Sequence, residues 1–226
     1  MILSRKTDRT ARNILFLGDL ILIAGSFALA WWIRFESGIM PLTKDYQTFH
    51  LYRLPILIAV GIWIIAYTWQ KLFRIEFSRK LGQEIAKLLK ANLASLIVAM
   101  ALTFLYRTVT FSRLTLAIGV IIAFITTALY HRLLMAFLTN MLKKGKGVAR
   151  KIVIGDGELA QAAIAEILAD PLTNRGLVGR LCIESSPQRI GAPSELRRIL
   201  IEHDIDEVIL AEPDVSESAI RRIIYE

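Results

Sequence analysis

The spacing richest in chemistry is Gly155-x-Gly157-x-x-Ala160. It follows an apolar run, Lys151 to Ile154, and opens a stretch with helical periodicity. That is the context of a dinucleotide fingerprint, with Ala160 in the third small position. Glycines there permit a tight turn and close approach of the backbone, and a helix N-terminus offers free N–H groups to a phosphate. Two features work against it. Asp156 and Glu158 put negative charge where a pyrophosphate would lie. The acid available for a ribose contact is Glu184, 29 residues beyond Gly155, where about 20 is usual. Two readings stand: a nucleotide held by Gly155, Asp156, Gly157, Ala160 and Glu184, or a glycine turn that only serves packing.

Other reactive residues form no constellation. His50, His131 and His203 are far apart in sequence and lack partners at metal-ligand spacing, so each reads as interfacial or superficial. Cys182, the sole cysteine, sits in an apolar run and reads as a buried thiol. It also excludes an intrachain disulfide framework. Glu202-His203-Asp204 and Glu212-Pro213-Asp214 cluster acids without a pocket to make them a catalytic pair. Asp19 lies inside an apolar span, where a carboxylate is a functional hypothesis by default. Arg132 lies at a similar depth on another span, so a structural Asp19–Arg132 pair is the expectation.

The elements that must carry these residues are of two kinds. The chain has 226 residues, 54% hydrophobic, with a mean hydropathy of +0.49 and a net charge of +8. Residues 1–150 carry 20 basic and 6 acidic side chains; residues 151–226 carry 8 and 14. This split excludes a single soluble domain, a disordered chain and a nucleic-acid binder with a basic face.

Four stretches approach the roughly 20 apolar residues that cross a bilayer as a helix. They run from Ile14 to Ile33, Leu51 to Trp69, Ala91 to Tyr106 and Leu114 to Leu138, the last broken late by His131-Arg132. A polar turn with Lys87 and Lys90 extends the third backwards. Leu81, Ile85, Leu88 and Leu89 recur at helical spacing, which predicts a short interfacial helix leading into it. The first stretch shares features with a signal peptide, having basic residues before it and Ala28-Leu29-Ala30 within it. Asp19 and the run on through Trp31-Trp32-Ile33 fit an uncleaved anchor better. Fifteen basic residues fall on one predicted side and five on the other, which puts both termini in the cytoplasm. Trp31, Trp32, Tyr52, Tyr67, Trp69 and Tyr106 lie near helix ends, as interfacial aromatics do.

The domain organisation expected is a four-helix transmembrane domain (1–142), a basic linker (143–150) and an α/β Rossmann-like domain (151–226), incomplete at its C-terminus. Within the last, Lys151 to Ile154, Leu177 to Ile183 and Glu207 to Leu210 read as strands. Glu158 to Leu168, Glu195 to His203 and Ser216 to Tyr225 read as helices. Alternation of this kind predicts a parallel sheet.

Motifs along nearly the whole chain carry a resemblance. They are Trp32-Ile33-Arg34-Phe35, Phe111-Ser112-Arg113-Leu114, Tyr130-His131-Arg132, Arg150 to Ala160, Leu177-Val178-Gly179 and Ile205 to Leu210. In order and spacing the chain resembles the N-terminal part of bacterial polyprenyl glycosylphosphotransferases, which initiate exopolysaccharide and O-antigen synthesis. The resemblance implies four membrane helices, a Rossmann-like domain and then a catalytic module. That module transfers a sugar 1-phosphate from a UDP-sugar to undecaprenyl phosphate with an Asp-Glu pair and magnesium. No Asp-Glu-Leu-Pro-type site occurs here, so no catalytic residue carries over, and magnesium is expected only with the missing module. The expectation is an anchoring and regulatory portion in the bacterial inner membrane. Its expected partners are lipid, through the missing module undecaprenyl phosphate and UDP-sugar, and a second copy of the chain, with no nucleic acid. The alternatives are the N-terminal portion of a membrane-bound nucleotide-sugar dehydratase or epimerase, which Ser112-Arg113 disfavours on fold analogy, and a non-enzymatic anchor or oligomerisation module.

Overall fold

A computed structural model describes residues 2–39, 47–105, 112–182 and 188–211. The chain divides into two compact units, residues 10–136 and residues 1–9 with 137–226.

Within residues 5–143 lie four long helices: α1 (Arg5–Phe35), α2 (Phe49–Trp69), α3 (Leu81–Leu105) and α4 (Arg113–Lys143). All four are long and apolar enough to cross a membrane. The interfacial helix expected on Leu81, Ile85, Leu88 and Leu89 is the first turns of α3, because these residues continue its register without a break. α4 likewise runs unbroken through His131-Arg132.

In the unit of residues 10–136 the inward faces form one core. It includes Ile23, Phe27, Trp63, Tyr67 and Leu88. The rings of Phe27 and Trp63 meet edge to face at 5.1 Å, a favoured aromatic arrangement. Gly119 lies against the Phe27 ring and Gly18 against the Tyr130 ring, where a β-carbon would collide. Small residues let membrane helices pack closely in this way. The outward faces carry Ile21, Leu57, Ile65 and Ile97, all more than 60% exposed, as a lipid-facing surface requires.

Of the aromatics expected at the interface, Trp32 and Trp69 are exposed, whereas Trp31, Tyr52 and Tyr67 are buried in the core. Tyr106 lies outside the described residues. A ring near a helix end points inward when its position falls on the packed stripe, and hydropathy alone does not register the stripe.

The other unit is built on a parallel sheet of β1 (Lys151–Ile154), β2 (Leu177–Leu181), β3 (Arg189–Gly191) and β4 (Glu207–Leu210), in the order β3-β2-β1-β4. Helices α5 (Glu158–Ala169) and α6 (Leu196–Glu202) connect strands. β1 is buried throughout because it has a neighbour on each side and apolar clusters on both faces. Ile152 and Ile154 pack toward Leu196 and Ile199; Val153 packs toward Ala160 and Ile164. This alternation is the period-2 rule for a covered parallel strand. β3 has only three residues, too few for a periodicity signal, and was not expected. The helix expected over Ser216 to Tyr225 lies outside the described residues.

Residues 2–6 belong to this second unit. Leu3 bridges Val148 in antiparallel fashion and is 3% exposed. Ser4 N–H donates to the Gly147 carbonyl and Ala149 N–H to the Ile2 carbonyl, each at 2.9 Å. Nothing in local sequence periodicity announces this pairing across more than 140 residues.

Candidate functional site

The glycine turn lies at the carboxyl end of β1, between the two directions in which the chain winds. From β1 it passes through α5 to β2 on one side; from β3 it passes through α6 to β4 on the other. This reversal beside β1 is a topological switch point, where open α/β sheets bind ligands.

Gly155 has φ +145°, a conformation that side chains oppose. A β-carbon there would strike the carbonyl oxygen of Ala211, just past β4. Gly155 is therefore fixed by the closeness of two neighbouring strand ends. Gly157 differs. It is the N-cap of α5, with extended backbone (φ −89°) and no side-chain cap, and a β-carbon there would meet nothing within 4 Å. The open space faces the start of a helix, where free N–H groups and the dipole favour an anion. Ala160 is fully buried against the sheet. Asp156 is half-buried at the turn. Glu184 lies outside the described residues, so the expected ribose contact has no geometry to report.

Arg180 is the residue that sequence reasoning missed. It is 4% exposed on β2, and its Nε donates to the Gly155 carbonyl at 2.6 Å. A buried guanidinium beside the turn holds the loop in place. It also sets a positive charge against the backbone of the turn. The available signal was a lone cation inside the apolar run Leu177-Val178-Gly179-Arg180-Leu181-Cys182. Cys182 is buried as expected.

A second polar cluster lies in the helical unit. Asp19 is fully buried, and its partner is His131, not the expected Arg132. The Asp19 carboxylate lies 2.9 Å from His131 Nε2, and Glu84 Oε1 lies 3.6 Å from His131 Nδ1. Successive helical residues are about 100° apart, so His131 turns inward while Arg132 stays exposed. His131 is 2% exposed, which also corrects its reading as a surface histidine. One imidazole thus links two carboxylates across α1, α3 and α4.

Another layer of polar contacts joins α2, α3 and α4. Trp63 Nε1 donates to Asn92 Oδ1 at 2.9 Å, Asn92 Nδ2 to the Tyr67 hydroxyl at 3.1 Å, and that hydroxyl lies 3.0 Å from Thr127 Oγ1. Polar side chains within a membrane bundle are held by partners of this kind. Both clusters have the composition of structural locks. Among the described residues no group of three or more His, Cys, Asp or Glu side chains is arranged to hold a metal ion, and no metal chemistry is assigned to them.

A family model described as a CoA-binding domain matches residues 70–226, which include α3, α4 and the whole described sheet. Comparison with curated proteins gives no match.

Proposed function

We propose, from the premise that this chain belongs to the CoA-binding domain family, that it is the membrane-anchoring and Rossmann-like regulatory portion of an initiating sugar-1-phosphate transferase. The observation carrying this reading is the extent of the match: it runs from membrane helices into the α/β unit as one stretch. Domains of this family occur in polyprenyl glycosylphosphotransferases. The reaction would move a sugar 1-phosphate from a UDP-sugar to undecaprenyl phosphate in the bacterial inner membrane.

In this role the helices hold the chain in the bilayer and the α/β unit is its cytoplasmic sensor. The pairing of residues 2–6 with residues 147–149 supports a common side for the N-terminus and the sheet. The excess of basic residues supports the cytoplasm as that side. The switch-point turn suits a phosphate-bearing ligand of nucleotide or coenzyme A type. Gly157 would allow its approach, and the start of α5 would meet its negative charge.

The test is biochemical. Membranes from cells lacking this gene should lose labelling of the lipid fraction by a radiolabelled UDP-sugar, and the gene should restore it. Unchanged labelling would refute the assignment. The ligand is tested separately, by thermal shift of the purified chain with coenzyme A, NAD and UDP-sugars. A ligand bound only by the native state at 100 times its dissociation constant adds about 2.7 kcal/mol.

A further inference from the structure

A cleft of about 710 Å3 opens in the α/β unit, away from the glycine turn. Segments far apart in sequence meet there: residues 4–6, 145–150, 175–178 and 204–206. Four of its lining residues are cationic, Arg5, Lys6, Arg150 and Arg175, against two acids, Asp204 and Asp206.

Both acids have structural work. The Asp206 carboxylate accepts the backbone N–H of Arg5 through Oδ1 at 2.9 Å and that of Arg150 through Oδ2 at 3.0 Å. One carboxylate therefore plants two arginines side by side. Asp204, in the left-handed region at φ +46°, lies 3.3 Å from Lys6 Nζ. Arg175 is positioned by its Nη1 donating to the Lys144 carbonyl at 3.4 Å and by its stem lying against Gly145, itself at φ +77°. Arg5, Arg150 and Arg175 are all exposed. Lys143, Lys144 and Lys146 add charge along the segment that leaves α4.

From this convergence we propose that the cleft is a binding site for a phosphate group, carried by the headgroup of an anionic lipid. The chemistry follows from the side chains, since guanidinium groups match phosphate oxygens with paired donors. The lipid source follows from where the cleft sits in the chain. Arg5 opens one membrane helix, and Gly145 follows the end of another. Basic residues beside membrane helices attract anionic headgroups. This site is independent of the transferase reading and of the glycine turn.

The test uses the full chain purified in detergent and titrated, by native mass spectrometry and calorimetry, with short-chain phosphatidic acid, phosphatidylcholine and inorganic pyrophosphate. Phosphatidic acid should bind more tightly than phosphatidylcholine. Combined Arg150→Gln and Arg175→Gln substitution should weaken it at least tenfold. Combined Lys80→Gln and Lys90→Gln substitution, an equal loss of charge at exposed positions outside the cleft, should leave the affinity unchanged. Unfolding temperatures without ligand report whether each variant folds, and Arg150→Lys with Arg175→Lys supplies a milder second variant with partial affinity. Pyrophosphate binding with the same dependence on Arg150 and Arg175 supports the phosphate site, and an affinity matching the lipid's makes a soluble phosphate ester the ligand. Equal loss in the two glutamine pairs, no loss in either, or equal affinity for phosphatidylcholine would overturn the proposal.

Discussion

Gly155 and Gly157 differ by two positions and share one motif, yet their surroundings impose different constraints. Gly155 answers to the Ala211 carbonyl and a positive φ. Gly155→Ala should therefore destabilise the α/β unit, with about 1–3 kcal/mol from the backbone alone. Gly157→Ala should cost less, about 0.5–1 kcal/mol for alanine at an N-cap, because the space beside it is open. If a phosphate approaches this turn, Gly157→Ala should nevertheless abolish the thermal shift given by the ligand. Parallel melts of the two variants, with and without ligand, separate a packing glycine from a binding glycine. The spacing of the motif was legible in the sequence. The division of labour within it was not, because it depends on a strand end more than 50 residues away.

At the scale of elements, the helices are tied by polar contacts that hydropathy treats as blemishes. Asp19 interrupts the apolar run of α1 and His131 that of α4, and each is the reason the other is tolerated. His131→Leu removes the group that both carboxylates face, and should cost about 3–5 kcal/mol as an uncompensated buried charge. Asp19→Leu combined with His131→Leu should cost less than the sum of the single changes, measured by denaturation in detergent. Strictly additive losses would show that the two side chains are not coupled. In the sheet, β1 and β4 are joined by Lys151 and Glu207, 3.1 Å apart. Partial burial opposes ionisation of Glu207, but the Lys151 ammonium helps to outweigh it and holds the carboxyl below its ordinary 4.5. A depressed carboxyl stabilises the fold above its unfolded pKa and loses that contribution as pH falls through the folded value. Glu207→Gln should thus lower the melting temperature at pH 7, and the gap to the parent chain should close in acid, below about pH 4. A gap that persists unchanged at pH 3 would contradict the pairing.

Across the whole molecule, the first residues of the chain are built into the α/β unit, whose strands begin more than 140 residues later. Leu3 is buried against Val148, and the first turn of α1 is bonded to Asp206. Leu3→Ala should cost the α/β unit roughly 2–5 kcal/mol, as truncation of a buried leucine does. Deleting residues 2–6 should expose the amide of Ala149, whose acceptor is the Ile2 carbonyl, to hydrogen exchange. Full protection of that amide after deletion would contradict the pairing.

The sequence by itself determined the classes of structure. Four apolar stretches become helices because a bilayer satisfies no backbone hydrogen bond. Short apolar strands alternating with helices become a parallel sheet because crossovers admit little else. The strand Glu207–Leu210 and the glycine turn were legible at their true positions for that local reason. Only the tertiary structure decided the partners: His131 for Asp19 in place of Arg132, Arg180 for the Gly155 carbonyl, and residues 2–6 for the α/β unit. Each is a contact between residues distant in the chain. Which of two neighbouring side chains faces inward depends on helix rotation, and which carbonyl a buried cation reaches depends on strand order. Neither quantity is carried by residue type or by spacing.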